Sequence, residues 1–153
     1  MYCPNDYVVL GRKISKLNGS RFLRYKFNRI GDKYHLEIPN FENIGDNVVL
    51  AHPSGITVNP RAVIGENCVL FKNVTIGSVR SGKREGVPSI GDFCVIGTGA
   101  FVCGGIIIGD DVLISANVFV DFDVPSHSIV IGNPGVIHHK ENATKDYRNI
   151  EGY

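Results

Sequence analysis

Residues 90–96 read IGDFCVI and residues 108–114 read IGDDVLI, one seven-residue phrase written twice, eighteen positions apart. Upstream, residues 64–70 (IGENCVL) and 44–50 (IGDNVVL) write it twice more. The four copies begin at Ile44, Ile64, Ile90 and Ile108, so their intervals are 20, 26 and 18 residues. That is 18 with two residues added, 18 with eight added, and 18. Self-similarity at a fixed period marks a repeat architecture, in which each unit buries its apolar side only against its neighbours.

Within the units an aliphatic residue returns at every sixth position: Ile38, Ile44, Leu50 and Ile56, then Ile64, Leu70 and Ile76, then Ile90, Ile96, Val102, Ile108, Ile114 and Val120. A period of six fits neither the 3.6 of an amphipathic helix nor simple strand alternation, but three short strands joined by three corners make a coil of eighteen. Stacked coils then set Ile on Ile. Each such buried side chain is worth about 1.5–3 kcal/mol before chain entropy is subtracted. The expected fold class is therefore all-β, a parallel solenoid over residues 37–137. Cys68, Cys94 and Ala100, each two residues before the next aliphatic, read as small interior fillers.

The rhythm fails at Gly82, where an aliphatic is due, and resumes at Ile90. The eight extra residues thus belong to a polar, basic loop at 77–89 (GSVRSGKREGVPS), while the count places the two extra residues between Ile56 and Ile64, just beyond His52. Both irregularities lie in the two coils nearest that histidine, and loops on a rigid scaffold often carry function. On the same count His52, Lys72, Thr98 and Ala116 fall at equivalent points of successive coils and should line one corner, about 4.8 Å apart.

At 153 residues the chain is one domain by length. It has no apolar run of the roughly 18 residues a membrane helix needs and no signal-peptide pattern at its start, so a cytoplasmic location is expected. Cys3, Cys68, Cys94 and Cys103 show no metal-ligand spacing, and reduced thiols are expected. Residues 1–40 hold eight Lys and Arg against three Asp and Glu, whereas residues 41–153 hold eight against twelve. Residues 1–36 thus form a basic arm, with a short helix expected from Ser20 as N-cap to Gly31 as stop, presenting Leu23, Phe27 and Ile30 on one face. Two roles are open to it, a lid on the end of the solenoid or a contact with a membrane surface. Residues 138–153 read as a polar tail.

The hexads, with HPSGI at 52–56, NVTIG at 73–77 and VPSHSIVIGNP at 124–134, resemble the left-handed β-helix hexapeptide-repeat acyltransferases over about residues 36–140, and within them the serine acetyltransferase-like branch with its short capsule and lipopolysaccharide members. The resemblance implies a left-handed solenoid, a homotrimer with sites between subunits, and acetyl-coenzyme A as co-substrate with no metal. His52 matches the family's general base and Glu37 its orienting aspartate. Gly77, Ser78, Thr98 and Ala116 match positions along the coenzyme, and Lys140 is a candidate for its 3′-phosphate. The chemistry is coherent, because a hydroxyl is too weak a nucleophile to attack a thioester without losing its proton, and imidazole titrates near neutral pH. A backbone N–H near Gly77 or Ser78 is a candidate donor to the developing oxyanion.

Departures from the family pattern bear on the acceptor. Serine acetyltransferases carry Asp where this chain has Ala51, and Arg-His where it has Gly86-Val87. A serine zwitterion would then bring two charges to desolvate with few partners, so a sugar hydroxyl of a surface polysaccharide or its lipid-linked precursor is the expected acceptor, with L-serine as the alternative. Arg80, Lys83 and Arg84 of the loop are candidates for binding acceptor or coenzyme phosphates, and equally for keeping an exposed loop soluble. A zinc enzyme of carbonic anhydrase type would need three converging imidazoles. His52 is the sole histidine between Glu37 and Val120. A non-catalytic scaffold is the remaining reading, and no motif supports nucleic-acid binding.

Overall fold

A computed structural model describes residues 7, 8, 11, 13, 21–39 and 41–147. All thirteen residues of the six-residue rhythm are buried, none more than 7 % exposed. They line a three-faced solenoid of short strands: β1 (Val49–Ala51), β2 (Thr57–Val58), β3 (Val63–Ile64), β4 (Val69–Phe71), β5 (Thr75–Gly77), β6 (Ser89–Ile90), β7 (Val95–Ile96), β8 (Phe101–Cys103), β9 (Ile107–Ile108), β10 (Val112–Ile114), β11 (Phe119–Val120), β12 (Ser128–Ile131) and β13 (Val136–His139). As far as β11, every third strand stacks on the same face. The orders are β1-β4-β7-β10-β12-β13, β2-β5-β8-β11 and β3-β6-β9, with every pair parallel except β12 with β13. Cys68, Cys94 and Ala100 are fully buried beside the columns, as their spacing implies.

The register corrects one expectation. Leu50 pairs with Leu70, but Val58, not Ile56, pairs with Ile76, and Ile64 pairs with Ile90. Val58 to Ile64 is a regular six, whereas Leu50 to Val58 is eight. The two added residues therefore lie at the corner that carries His52, not after Ile56. Ile56 and Val58 are both buried aliphatics, at 0 and 3 % exposure, so burial alone does not reveal which of them keeps the beat.

Two corners carry ladders of residues in the left-handed region. One runs Asn47, Asn67, Phe93, Asp111 and His127, with φ between 54° and 58°. The other runs His35, Gly55, Asn73, Gly99 and Asn117. Asn and Gly suit these places because they tolerate positive φ. Neighbouring rungs of the first ladder also pair through their side chains, as Asn47 Nδ2 donates to Asn67 Oδ1 at 3.1 Å.

Helix α1 (Arg21–Tyr34) closes the end of the solenoid. Tyr7 stacks on Phe27 with ring centroids 4.2 Å apart, and both meet Phe41 edge-on at 5.8 Å. Phe27 and Tyr34 pack against the main core, and Ile30 is part of it. The helix passes Gly31, the expected stop, by three residues. It ends instead at left-handed His35, closed by a 2.9 Å hydrogen bond from Leu36 N to Gly31 O. Gly31 gives the Tyr7 ring room, since a Cβ there would stand 3.3 Å from Tyr7 Cε2. The expected N-cap, Ser20, lies outside the described residues.

At the other end β13 turns back antiparallel on β12, and the following segment is not simply a solvated tail. Asp111, 4 % exposed, accepts from Thr144 Oγ1 at 2.7 Å, from the backbone N–H of Thr144 at 3.1 Å and of Ala143 at 3.0 Å, and pairs with His127 Nδ1 at 3.0 Å. Burial by itself raises a carboxyl, but these hydrogen bonds outweigh it and hold Asp111 well below the usual carboxylate range. The hydrogen bond to Asp111 in turn raises the His127 imidazole. A raised histidine contributes stability that is complete below its unfolded value of about 6.5 and is lost as pH rises through the folded value. His127→Asn, which keeps a residue suited to positive φ, is therefore expected to flatten the fall in stability between neutral and alkaline pH, read from urea unfolding across that range.

Candidate active site

The corner between β1 and β2 can be built residue by residue. Ala51 is level with Phe71. Asn73 N donates to Ser54 O at 2.7 Å, Gly99 N to Lys72 O at 3.0 Å and Asn117 N to Thr98 O at 2.9 Å. By this ladder Ser54, Lys72, Thr98 and Ala116 are the equivalent points of successive coils. His52 and Pro53 are the two surplus residues, pushed out between Ala51 and Ser54. The expectation that His52 itself heads the column is corrected accordingly; Ser54 does, with His52 protruding beside it.

His52 is exposed and its ring lies 6.4 Å from that of Phe71, tilted by 44°. Its φ is +50°. Among the described non-glycine residues of the solenoid it alone is left-handed without belonging to either corner ladder. A non-glycine residue in this region is uncommon, histidine being among those that tolerate it, and such a residue outside the regular rungs is concentrated at functional sites.

Past this corner, face two carries a groove of about 320 Å³ lined by Glu37, Pro39, Thr57, Asn59, Thr75, Gly77 and Ser78, among others. Glu37 is exposed and stands opposite Thr57 in a parallel bridge. Glu37, Gly77 and Ser78 are thus brought together. A Cβ on Gly77 would meet Phe101 Cζ at 3.6 Å and Cys103 Cβ at 3.7 Å, so the groove floor here is backbone backed by those side chains.

The loop at 77–89 lies against its own scaffold. Val79 and Gly86 exchange hydrogen bonds of 3.0 Å, with Gly82 at the open tip. Gly86 rests on Gly105, where a Cβ would stand 3.0 Å from Gly105 Cα, and Gly105 N donates to Arg84 O at 2.9 Å. Asp123 ties the loop down: its Oδ1 accepts from Ile107 N at 2.8 Å and its Oδ2 from Arg84 at 3.1 Å, and these two bonds hold its carboxyl below the ordinary range. Arg84, a candidate for substrate phosphate, is thereby committed to an intrachain ion pair, whereas Arg80 and Lys83 are exposed. Lys140 sits elsewhere. Its N–H donates to His127 O at 2.8 Å, at the end of β13 across the six-stranded face from Thr98 and Ala116.

Sequence reasoning passed over Ser54, Asp123 and the Asp111, His127, Thr144 cluster. Asp111 occupies the slot that holds Asn47 and Asn67 in the earlier copies of the phrase, and that substitution is the one signal that could have marked it.

Residues 88–121 match the family model for the bacterial transferase hexapeptide (six repeats). A serine acetyltransferase of Staphylococcus epidermidis is 34 % identical over 150 residues, covering 95 % of this chain and 65 % of that protein. The crystal structure of a Neisseria gonorrhoeae serine acetyltransferase in complex with serine is 29 % identical, with a TM-score of 0.70 over 88 % of this chain and 55 % of that one. A serine acetyltransferase in complex with CoA is 25 % identical, with a TM-score of 0.72 over 90 % and 58 %. The chain spans less than half the length of the first curated relatives it matches. The solenoid is the left-handed parallel β-helix, as the resemblance implied.

The loop anchor is directly testable. Asp123→Ala is expected to speed tryptic cleavage after Arg80 and Lys83 severalfold, followed by mass spectrometry. The melting temperature should fall only slightly, because both bonds that Asp123 accepts, from Arg84 and from Ile107 N, are solvent-exposed.

Proposed function

The chain belongs to the hexapeptide-repeat family, in its serine acetyltransferase-like branch, and from that premise we propose that it is an acetyl-coenzyme A-dependent O-acetyltransferase. The observation that carries this reading is His52, a left-handed histidine on a two-residue bulge, beside a corner column of Ser54, Lys72, Thr98 and Ala116. Three steps of strand spacing along that column come to about 14 Å, enough for an extended pantetheine arm. In the proposed reaction His52 takes the proton from the acceptor hydroxyl as its oxygen attacks the thioester carbonyl. The carbon–sulfur bond then breaks, and the imidazolium returns the proton to the departing thiolate. A backbone N–H near Gly77 or Ser78 would stabilise the tetrahedral oxyanion, and Glu37 would orient the imidazole.

The relatives' names and the serine complex put L-serine first as acceptor. A second reading, an uncharged sugar hydroxyl, is favoured by particular residues. Ala51 is fully buried and uncharged, and Gly86 packs on Gly105 with no side chain, where serine acetyltransferases carry charged groups. The remaining proposals follow from the family: a homotrimer with sites between subunits, and Lys140 serving the coenzyme's phosphate from a neighbouring subunit rather than along its own column. For a lipid-linked acceptor, α1 presents Phe22 and Tyr25, both 62 % exposed, among Lys26, Arg29 and Lys33, a face suited to an anionic membrane surface.

Thiol release from acetyl-coenzyme A, with L-serine as sole acceptor and a blank without it, tests the reading. Serine-dependent release that falls 10²- to 10⁴-fold in His52→Gln, the range a positioned base supplies, is the expected outcome. Release at the blank level by protein that binds coenzyme A would move the acceptor to a sugar hydroxyl. Absence of coenzyme A binding would overturn the proposal and leave a non-catalytic scaffold.

A further inference from the structure

The bulge that carries His52 is clamped on both sides, and the clamps come from elsewhere in the fold. Before it, Ala51 is fixed in β1 against Phe71 and is 0 % exposed. After it, Ser54 O accepts from Asn73 N at 2.7 Å, and Gly55 N donates to Tyr34 O at 3.0 Å. Tyr34 is the last residue of α1, so the basic arm reaches the corner through its final carbonyl. Gly55 is left-handed at φ +65°, and a Cβ on it would stand 2.6 Å from Asn73 Oδ1. A side chain on residue 55 would have to displace the Asn73 amide beside the bulge. Between these fixed points the chain must place two residues more than the corner needs, and the second is Pro53, whose ring holds its own φ near −65° and by itself favours an extended residue before it. His52 is left-handed all the same, so the fixed points on either side impose its conformation and Pro53 fixes the turn that follows.

We propose that Gly55, Asn73, Pro53 and the Tyr34 carbonyl at the end of α1 are positioning elements for His52, forcing the bulge outward and fixing the direction of its imidazole. The inference rests on the reading of His52 as the base. It gives the N-terminal helix a part in the site beyond closing the solenoid, and it accounts for the two added residues: they re-aim one side chain while Ala51 and Ser54 on either side keep their ladder partners.

The test uses the intact chain and steady-state kinetics of thiol release with whichever acceptor supports turnover. Gly55→Ala sets a Cβ against the Asn73 amide beside the bulge, and kcat is expected to fall by up to about 10²-fold, the cost of misplacing a reacting group by about an ångström, with the KM for acetyl-coenzyme A little changed. Adding Asn73→Gly removes the obstruction and should restore much of kcat. Gly99→Ala is an internal comparison, since it meets Asn117 in the same way two rungs further on, at a coil without a histidine and next to Thr98. Its effect should fall on KM instead. Should Gly55→Ala fold poorly by circular dichroism, Pro53→Gly loosens the bulge while leaving every clamp hydrogen bond in place, and it too should lower kcat at constant KM. Wild-type kcat in folded Gly55→Ala or in Pro53→Gly, or matching changes in Gly55→Ala and Gly99→Ala, would overturn the inference. Wild-type turnover in His52→Gln would instead remove the base itself and with it the premise.

Discussion

Stacking of like on like along the solenoid axis is the constraint on which everything else depends. Leu50, Leu70, Ile96, Ile114 and Val130 form one interior column, in register across five coils, and each is 1 % exposed or less. No coil has an apolar interior of its own; each has only the coil above and the coil below. Slipping a strand by one residue would turn its whole inward set to the outside. The columns therefore hold the register rigidly, and a residue in excess of the eighteen has one place to go, which is out of a corner.

That rigidity turns two small insertions into the chemistry-bearing part of the molecule. Eight extra residues leave the third corner as the loop that Arg84, Asp123 and the glycines at 86 and 105 fold back on the scaffold. Two leave the corner between β1 and β2 as His52 and Pro53. Both openings flank face two, where Glu37, Gly77 and Ser78 meet in one groove. The same ladder logic finishes the solenoid: the rung occupied by Asn47 and Asn67 becomes Asp111 and His127 at the last turn, and the carboxylate gathers the backbone of Ala143 and Thr144. The edge of β12 is thus paired by β13, while Ala143 and Thr144 dock on Asp111.

The columns were legible in the sequence because burial selects Ile, Leu and Val at a period that no helix and no flat strand shares. The loop was legible because Gly82 breaks that period outright. The place of the shorter insertion was not, because Ile56 and Val58 are both aliphatic and both buried, and only the hydrogen bonds of Ser54, Gly55 and Thr57 show which coil position each occupies. His52 was found through its chemistry and its motif, but counting by six gave it Ser54's place. Gly31 misled for a similar reason: a glycine late in a helix resembles a stop, yet this one makes room for Tyr7, a partner 24 residues away that no local pattern discloses. Long-range polar contacts such as Asp111 with Thr144, 33 residues apart, leave no period at all.

Deleting His52 and Pro53 together tests most directly whether the histidine sits on a surplus bulge of an otherwise regular coil. Joined directly, Ala51 and Ser54 would form the six-residue corner that the following coils already use. The expected product is a soluble chain with the circular dichroism of the parent and a melting temperature no lower than that of His52→Ala, without acetyl transfer. A chain that unfolds or aggregates on losing these two residues would contradict it, for then they belong to the coil and the register drawn here is wrong.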